Sequence, residues 1–207
     1  MVALFLLGTA GLATAEEEMT NLPPDKLFAS KTCGACHGKE GKKAILAYPQ
    51  LAGQKADYLL AQMKDIKSGA RMATADATGN PRTAGMQQVM HLINDEQMKQ
   101  LADWLAKLEP AAPKPATPPV DPERLAQGGK LYAKSGCASC HGANGAKPLP
   151  GNPILAAQKR EYLLLQMKDM KTGARKNGKS ATMTSFIAKV GDAEMEQIAD
   201  FLSQATR

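Results

Sequence analysis

Two stretches of the chain repeat the same pattern of apolar and polar positions. Along residues 55 to 68, Leu59, Leu60, Met63 and Ile66 share a face at helical spacing; along 159 to 172, Leu163, Leu164, Met167 and Met170 do the same. Apolar residues recurring three and four apart make one side of an amphipathic helix, and Gly69 and Gly173 stand where each should stop. A further stripe, Met98, Leu101, Ala102, Leu105 and Leu108, predicts a helix that starts near Asn94, with Gln97 at the reciprocal capping position. A similar stripe holds Met195, Ile198, Ala199 and Leu202. Helices are also expected over 25 to 36 and 122 to 140. No strand-like alternation stands out, so the pattern predicts an all-α chain.

The helices pair up because the sequence is written twice. Under a shift of 104 residues, Tyr58-Leu59-Leu60-Ala61-Gln62-Met63-Lys64-Asp65 falls on Tyr162-Leu163-Leu164-Leu165-Gln166-Met167-Lys168-Asp169. Pro49 to Gln54 falls on Pro153 to Gln158, and Gly69-Ala70-Arg71 on Gly173-Ala174-Arg175. Beyond Arg71 the shift becomes 97: Met86 falls on Met183, Asp95 on Asp192, and Trp104 on Phe201. The first half therefore carries seven extra residues between Arg71 and Met86. Between the halves, Glu109 to Pro122 holds prolines at 110, 113, 115, 118, 119 and 122. Proline at this density favours an extended, semi-rigid linker. The expected organisation is a first domain over 16–108, a linker over 109–122 and a second domain over 123–207.

The chemistry lies in Cys33-Gly34-Ala35-Cys36-His37 and its copy Cys137-Ala138-Ser139-Cys140-His141, which hold all four cysteines and two of the three histidines. C-x-x-C-H is the attachment signature of a c-type haem. Two thiols three residues apart can form thioethers with the two vinyl groups on one porphyrin edge, and the following imidazole can take the iron as proximal ligand. A disulfide or a thioredoxin-like pair would also use C-x-x-C, but neither explains the histidine after both pairs. Zinc would lack an obvious fourth ligand. The chain is 43% hydrophobic but only 4% aromatic, thin for two ordinary cores. A haem in each half supplies the missing apolar bulk.

A histidine alone leaves one face of each iron open, and methionine there suits electron transfer. Only three methionine pairs survive the repeat: Met63 with Met167, Met86 with Met183, and Met98 with Met195. The first and third lie on apolar helix stripes, where core packing is the default. Met86 and Met183 are expected in irregular segments, each nine residues before the Asp that opens the last helix, and are the expected sixth ligands. Met72 and Met90 are the alternatives in the first half. His91 has no copy (the equivalent position is Ala188) and reads as a solvated or structural histidine rather than an iron ligand.

Val2 to Ala13 is an apolar run ending in Ala13-Thr14-Ala15, followed by three glutamates. It reads as a secretory signal cleaved after Ala15, though no Lys or Arg precedes it. The run is too short for a transmembrane helix, so the mature protein is expected to be exported and periplasmic. The formal charge of +6 is uneven: residues 16 to 110 carry 12 basic and 12 acidic side chains, residues 111 to 207 carry 14 and 8. Lys168, Lys171, Arg175, Lys176 and Lys179 crowd one stretch. A basic ring near a haem edge can steer an acidic redox partner, so a docking surface for such a partner is expected on the second domain, around Lys171, Arg175 and Lys176. Nucleic acid is not an expected partner.

Each half resembles a class I cytochrome c, and the tandem resembles the two-haem cytochromes c4 of bacteria. The two C-x-x-C-H motifs, Pro49-x-Leu51-Ala52-Gly53-Gln54 with Tyr58-Leu59-Leu60-x-Gln62, their copies from Pro153 to Gln166, and the late Met86 and Met183 carry the resemblance. It implies two tandem cytochrome c domains related by a pseudo-two-fold axis, one covalent haem each, with haem propionates near the interface. It also implies that the carbonyls of Pro49 and Pro153 accept the histidine Nδ1–H groups. Class I domains place a glycine of the first helix against an aromatic of the last. Gly128 or Gly129 can serve opposite Phe201; the first half has Pro24 and Asp25 there, so the contact with Trp104 should differ. The implied function is a non-enzymatic carrier of single electrons between a periplasmic or membrane donor and a terminal oxidase, with any membrane association made through that partner. The alternative is the electron-accepting subunit of a periplasmic dehydrogenase, for example one acting on thiosulfate. A dihaem peroxidase would need a displaceable iron face and a positioned acid–base group, and neither is evident.

Overall fold

The computed structural model describes residues 22–207, so the expected signal peptide and its cleavage site after Ala15 lie outside the described residues. The described residues form ten α-helices and no strand. The first half holds α1 (Pro24–Ser30), α2 (Cys33–His37), a 3₁₀ turn (Lys39–Gly41), α3 (Ala56–Lys67), α4 (Ala84–His91) and α5 (Asp95–Lys107). The second half repeats the order with α6 (Pro122–Lys134), α7 (Ala138–His141), α8 (Arg160–Lys171), α9 (Ser180–Ile187) and α10 (Asp192–Gln204). Two separate cores result. One is built on Leu27, Leu59, Met63, Ile66, Met98, Leu101 and Leu105; the other on Leu131, Tyr132, Leu163, Met167, Met195, Ile198 and Leu202.

The amphipathic stripes bury as their periodicity requires. On α5, Met98, Leu101, Ala102 and Leu105 are all buried. Asn94 closes the predicted capping box: its Oδ1 accepts from Gln97 N at 2.8 Å, and Gln97 Oε1 accepts from Asn94 N at 3.2 Å. On α10 only half of that device exists, since Gly191 can offer its N–H to Glu194 Oε2 but has no side chain to return.

Two features differ from expectation. The helices leading to the cysteine motifs are not continuous. The chain turns at Thr32 (φ 55°) and at the equivalent Gly136 (φ 79°), so each motif starts a new short helix. A left-handed residue cannot sit inside a right-handed helix and therefore redirects the chain. The start of α6 at Pro122 is the expected one: Pro122 is the first helical residue, where a missing N–H costs nothing, and Asp121 caps the helix by accepting from Glu123 N at 2.9 Å. Met86 and Met183 lie on α4 and α9, not in irregular segments. Neither helix has a side-chain N-cap bond, which removes the usual start signal.

The crossing of the first and last helices also differs between the halves. In the second half α6 passes α10 so closely that a Cβ on Gly128 would stand 2.1 Å from Gln197 O. In the first half α1 begins at Pro24, the position equivalent to Gly128, so no earlier turn of helix leads into the crossing. The aromatic pair is nevertheless kept: Phe28 and Trp104 have centroids 5.4 Å apart, and the equivalent Tyr132 and Phe201 are 5.8 Å apart. Replacing Gly128 with Ala should therefore cost about 1–3 kcal/mol through overpacking against backbone. Gly129→Ala should be close to neutral, because its methyl meets only the Phe201 ring at 3.3 Å. Urea unfolding of the two variants checks this; equal midpoints would refute the close crossing.

Candidate functional site

Each C-x-x-C-H motif occupies a short helix whose following loop folds back beneath it. The His37 and His141 side chains are buried, each 4% exposed. Their Nδ1 atoms lie 3.0 Å from Pro49 O and Pro153 O. A carbonyl can only accept, so each Nδ1 carries the proton and each Nε2 presents its lone pair. Burial pushes both imidazole pKa values down, and the proline carbonyls only partly offset it. Neutral imidazole with a fixed tautomer is the form that ligates a metal.

No disulfide joins the four cysteines. Burial pushes the Cys33 thiol up to about 11 and raises Cys137 as well. A thioredoxin-like pair needs the opposite shift. Cys33 and Met86 border the first apolar core; Cys137 belongs to the second, and Met183 borders it. The other methionines are less suited to a ligand's part. Met63, Met167, Met98 and Met195 are buried in helix stripes, Met90 is 1% exposed in the core, and Met72 is 40% exposed. His91 is exposed.

The two halves meet through contacts that obey the repeat. Gln54 donates Nε2 to Ile154 O at 2.9 Å and accepts from Ile154 N at 2.8 Å. The equivalent Gln158 donates to Gln50 O at 2.9 Å and accepts from Gln50 N at 2.7 Å. Gln50 and Ile154 each follow the proline that holds a histidine. The loop that orients each imidazole is thus clipped by the other half.

Beside this pair lies a buried cluster. Arg71 donates to Gln62, Tyr162 and Gln166, and Arg175 to Gln166, Tyr58, Gln62 and Asn177. All of these partners are neutral, yet both guanidiniums are more than nine-tenths buried. Arg71 Nε has no hydrogen-bond partner among the described residues. The Asp169 carboxylate acts on Arg71 without bonding it, and buried cations whose direct partners are all neutral are costly, so the interface can receive anionic groups. The propionates implied by the resemblance are of that kind. Unpaired cysteines beside a neutral, oriented imidazole fit the rest of a c-type haem.

Arg175 therefore does not belong to a free docking surface, contrary to expectation: its charge is spent between the halves. Lys171 is also engaged, with Asp192 Oδ1 at 2.9 Å and Val190 O at 2.8 Å. Lys168, Lys176 and Lys179 remain exposed. Sequence reading missed Arg82, Thr74 and Asp169, which join across the interface from the seven-residue insertion. It also missed Arg207, which donates to Ala52 O and the equivalent Ala156 O, both at 2.8 Å. The available signal was duplication: Gln54, Arg71 and Tyr58 are polar residues kept in both copies beside apolar stripes.

Comparison with known proteins agrees with this geometry. The cytochrome c family model matches residues 25–109 and again 125–206. The chain is 32% identical over 208 residues to cytochrome c4 of Azotobacter vinelandii, covering 96% of this chain and 94% of the relative. It is 31% identical over 185 residues to the thiosulfate dehydrogenase electron acceptor of Stutzerimonas stutzeri, covering 84% and 79%. Its fold is similar to the crystal structure of reduced recombinant cytochrome c4 from Pseudomonas stutzeri, with a TM-score of 0.73 and 27% identity, covering 88% of this chain and 97% of that one.

Replacing both Gln54 and Gln158 with Ala removes the four reciprocal bonds. At about 1 kcal/mol net per bond, the double variant should lose about 4 kcal/mol of unfolding free energy and each single variant about half. Urea midpoints at unchanged haem content read this out; a double variant within error of wild type would show that the clips do not hold the halves together.

Proposed function

The chain belongs to the cytochrome c family, as a two-domain, electron-carrying member of the cytochrome c4 type with two covalent c-type haems, and on that premise we propose that it is a periplasmic shuttle passing single electrons from a donor to a terminal oxidase. The observation that carries this reading is the duplicated buried histidine, oriented by a proline carbonyl beside two free cysteines.

Cys33 and Cys36, and Cys137 and Cys140, are the thioether residues. His37 and His141 are the proximal ligands, and Met86 and Met183 the distal ones. When bound, the haems supply the one-electron couple. The protein orients the imidazoles through Pro49 and Pro153; Met86 and Met183 would be the further iron ligands, and Arg71 and Arg175 would supply positive charge to haem carboxylates. With histidine and methionine both on the iron, the chain would carry electrons and perform no bond chemistry of its own. Residues 16–108 and 123–207 are the working domains, and Ala15 the last residue of a leader removed on export. No helix among the described residues is long and apolar enough to cross a membrane.

A second reading rests on the similarity to a thiosulfate dehydrogenase electron acceptor: the protein serves one periplasmic dehydrogenase rather than a general pool. Reduction by a thiosulfate-oxidising enzyme in preference to other donors would select it.

Oxidised protein should show two haems per chain and a methionine-to-ferric charge-transfer band of two-haem strength. Met86→Ala and Met183→Ala should each halve that band. A full band in either variant would remove that methionine from the site. The second domain docks an acidic partner through Lys168, Lys176 and Lys179. Changing all three to Gln should slow electron exchange by up to about tenfold at low salt and flatten its salt dependence. Unchanged rates would place the partner elsewhere.

A further inference from the structure

The insertion of the first half ends its path on the second. Ala75 and Pro81 bridge, and Asp76 accepts from Thr78 and Asn80, so the segment closes into a tight hairpin. Its base carries Thr74 and Arg82 to Asp169 on α8, whose side chain is 0% exposed. Asp169 Oδ1 accepts from Arg82 Nη2 at 2.6 Å, from Thr74 Oγ1 at 2.8 Å and from Thr74 N at 3.1 Å. Arg82 lies two residues before α4, and Met86 is the third residue of that helix.

The opposite half repeats the plan with other chemistry. Asp65, the equivalent of Asp169, accepts from Asn177 Nδ2 at 2.6 Å. Asn177 in turn accepts from Ser180 N at 2.9 Å through its carbonyl and from Ser180 Oγ at 3.1 Å through Oδ1. Ser180 opens α9, which carries Met183. In each direction an aspartate of one half grips the segment that leads into the other half's methionine helix.

We propose that the domains position each other's distal ligands: Asp169 holds Met86 through Arg82 and Thr74, and Asp65 holds Met183 through Asn177. Both are positioning residues. The proposal rests on the reading that Met86 and Met183 ligate iron. The grip on Met86 is a charge pair whose carboxylate is closed from solvent and whose guanidinium is partly exposed, whereas the grip on Met183 is carboxylate to amide. Both bonds are charge-assisted, but only the first joins two opposite charges, and a buried pair that loses one partner leaves an uncompensated charge. The Met86 site is accordingly the more dependent on its neighbour.

Exogenous imidazole or cyanide reaches a haem only when methionine is off the iron, so its apparent affinity scales with the open fraction. In holoprotein with two haems per chain, Asp169→Asn should tighten binding at one haem by at least about tenfold. It should also lower the methionine band by up to half and leave the second haem as in wild type. Asp65→Asn should act at the other haem, and less. Arg82→Lys should keep most of the wild-type behaviour. The double variant Arg82→Gln with Asp169→Asn removes the pair without stranding a charge, so it tests the idea should Asp169→Asn fail to fold. Met86→Ala separates the two layers of argument. If it leaves both haems closed, the ligand reading fails and the proposal falls with it. If it opens one haem while Asp169→Asn and the double variant stay within about twofold of wild type, the ligand stands and the positioning role is wrong. Equal opening of both haems in Asp169→Asn would mean general loosening and would also overturn it.

Discussion

The hydrogen bond from histidine Nδ1 to a proline carbonyl is the interaction on which the architecture depends. It does two things at once. It fixes the tautomer, so that the lone pair of Nε2 faces the site, and it ties the loop after the motif to the motif itself. A loop by itself would hold that carbonyl loosely. Here the next residue is clipped at both its N–H and its C=O by a glutamine of the other half. The orientation of each imidazole is thereby made a property of the domain pair.

The same logic explains why so much of the interface is polar. A pure apolar contact would hold the halves together without specifying register. Side-chain amides bonded to backbone, and guanidiniums shared between phenols and glutamines, are satisfied in only one alignment. The cost is buried charge whose direct partners are neutral.

Much of this could be read from residues alone, and the failures have physical causes. The motifs, the amphipathic helices, the glycine stops and the Asn94–Gln97 cap depend on local periodicity and local hydrogen bonds, and the structure has them. Arg175 was misassigned because a charged side chain in a basic run is ordinarily solvated. Its burial arises only when a second copy of the sequence supplies Gln62 and Tyr58 as acceptors. Arg82 and Asp169 lie 87 residues apart, outside any local pattern. The break at Thr32 carries no glycine or proline to announce it, while its equivalent at Gly136 does. The helices bearing Met86 and Met183 lack capping side chains and are only eight residues long, so their pattern was too short to be distinguished from a loop.

Joining the halves covalently is what makes such an interface workable. Hydrogen bonds of this kind contribute little net free energy each and would associate two separate small proteins weakly. The linker converts association into an intramolecular event at high effective concentration. It is also partly packed: Ala111 is buried, Pro110 lies against Gly53, and Gln204 donates to Lys114 O at 3.1 Å. A short proline-rich segment loses less entropy on ordering than a flexible one. The duplication then gains something a single domain lacks. Each half can leave its histidine loop and its methionine segment incompletely supported, because the support arrives from the other. The insertion, present in only one half, makes that support unequal, so the two duplicated motifs sit in different surroundings. Unequal surroundings are what a carrier needs if an electron entering at one iron is to prefer the other.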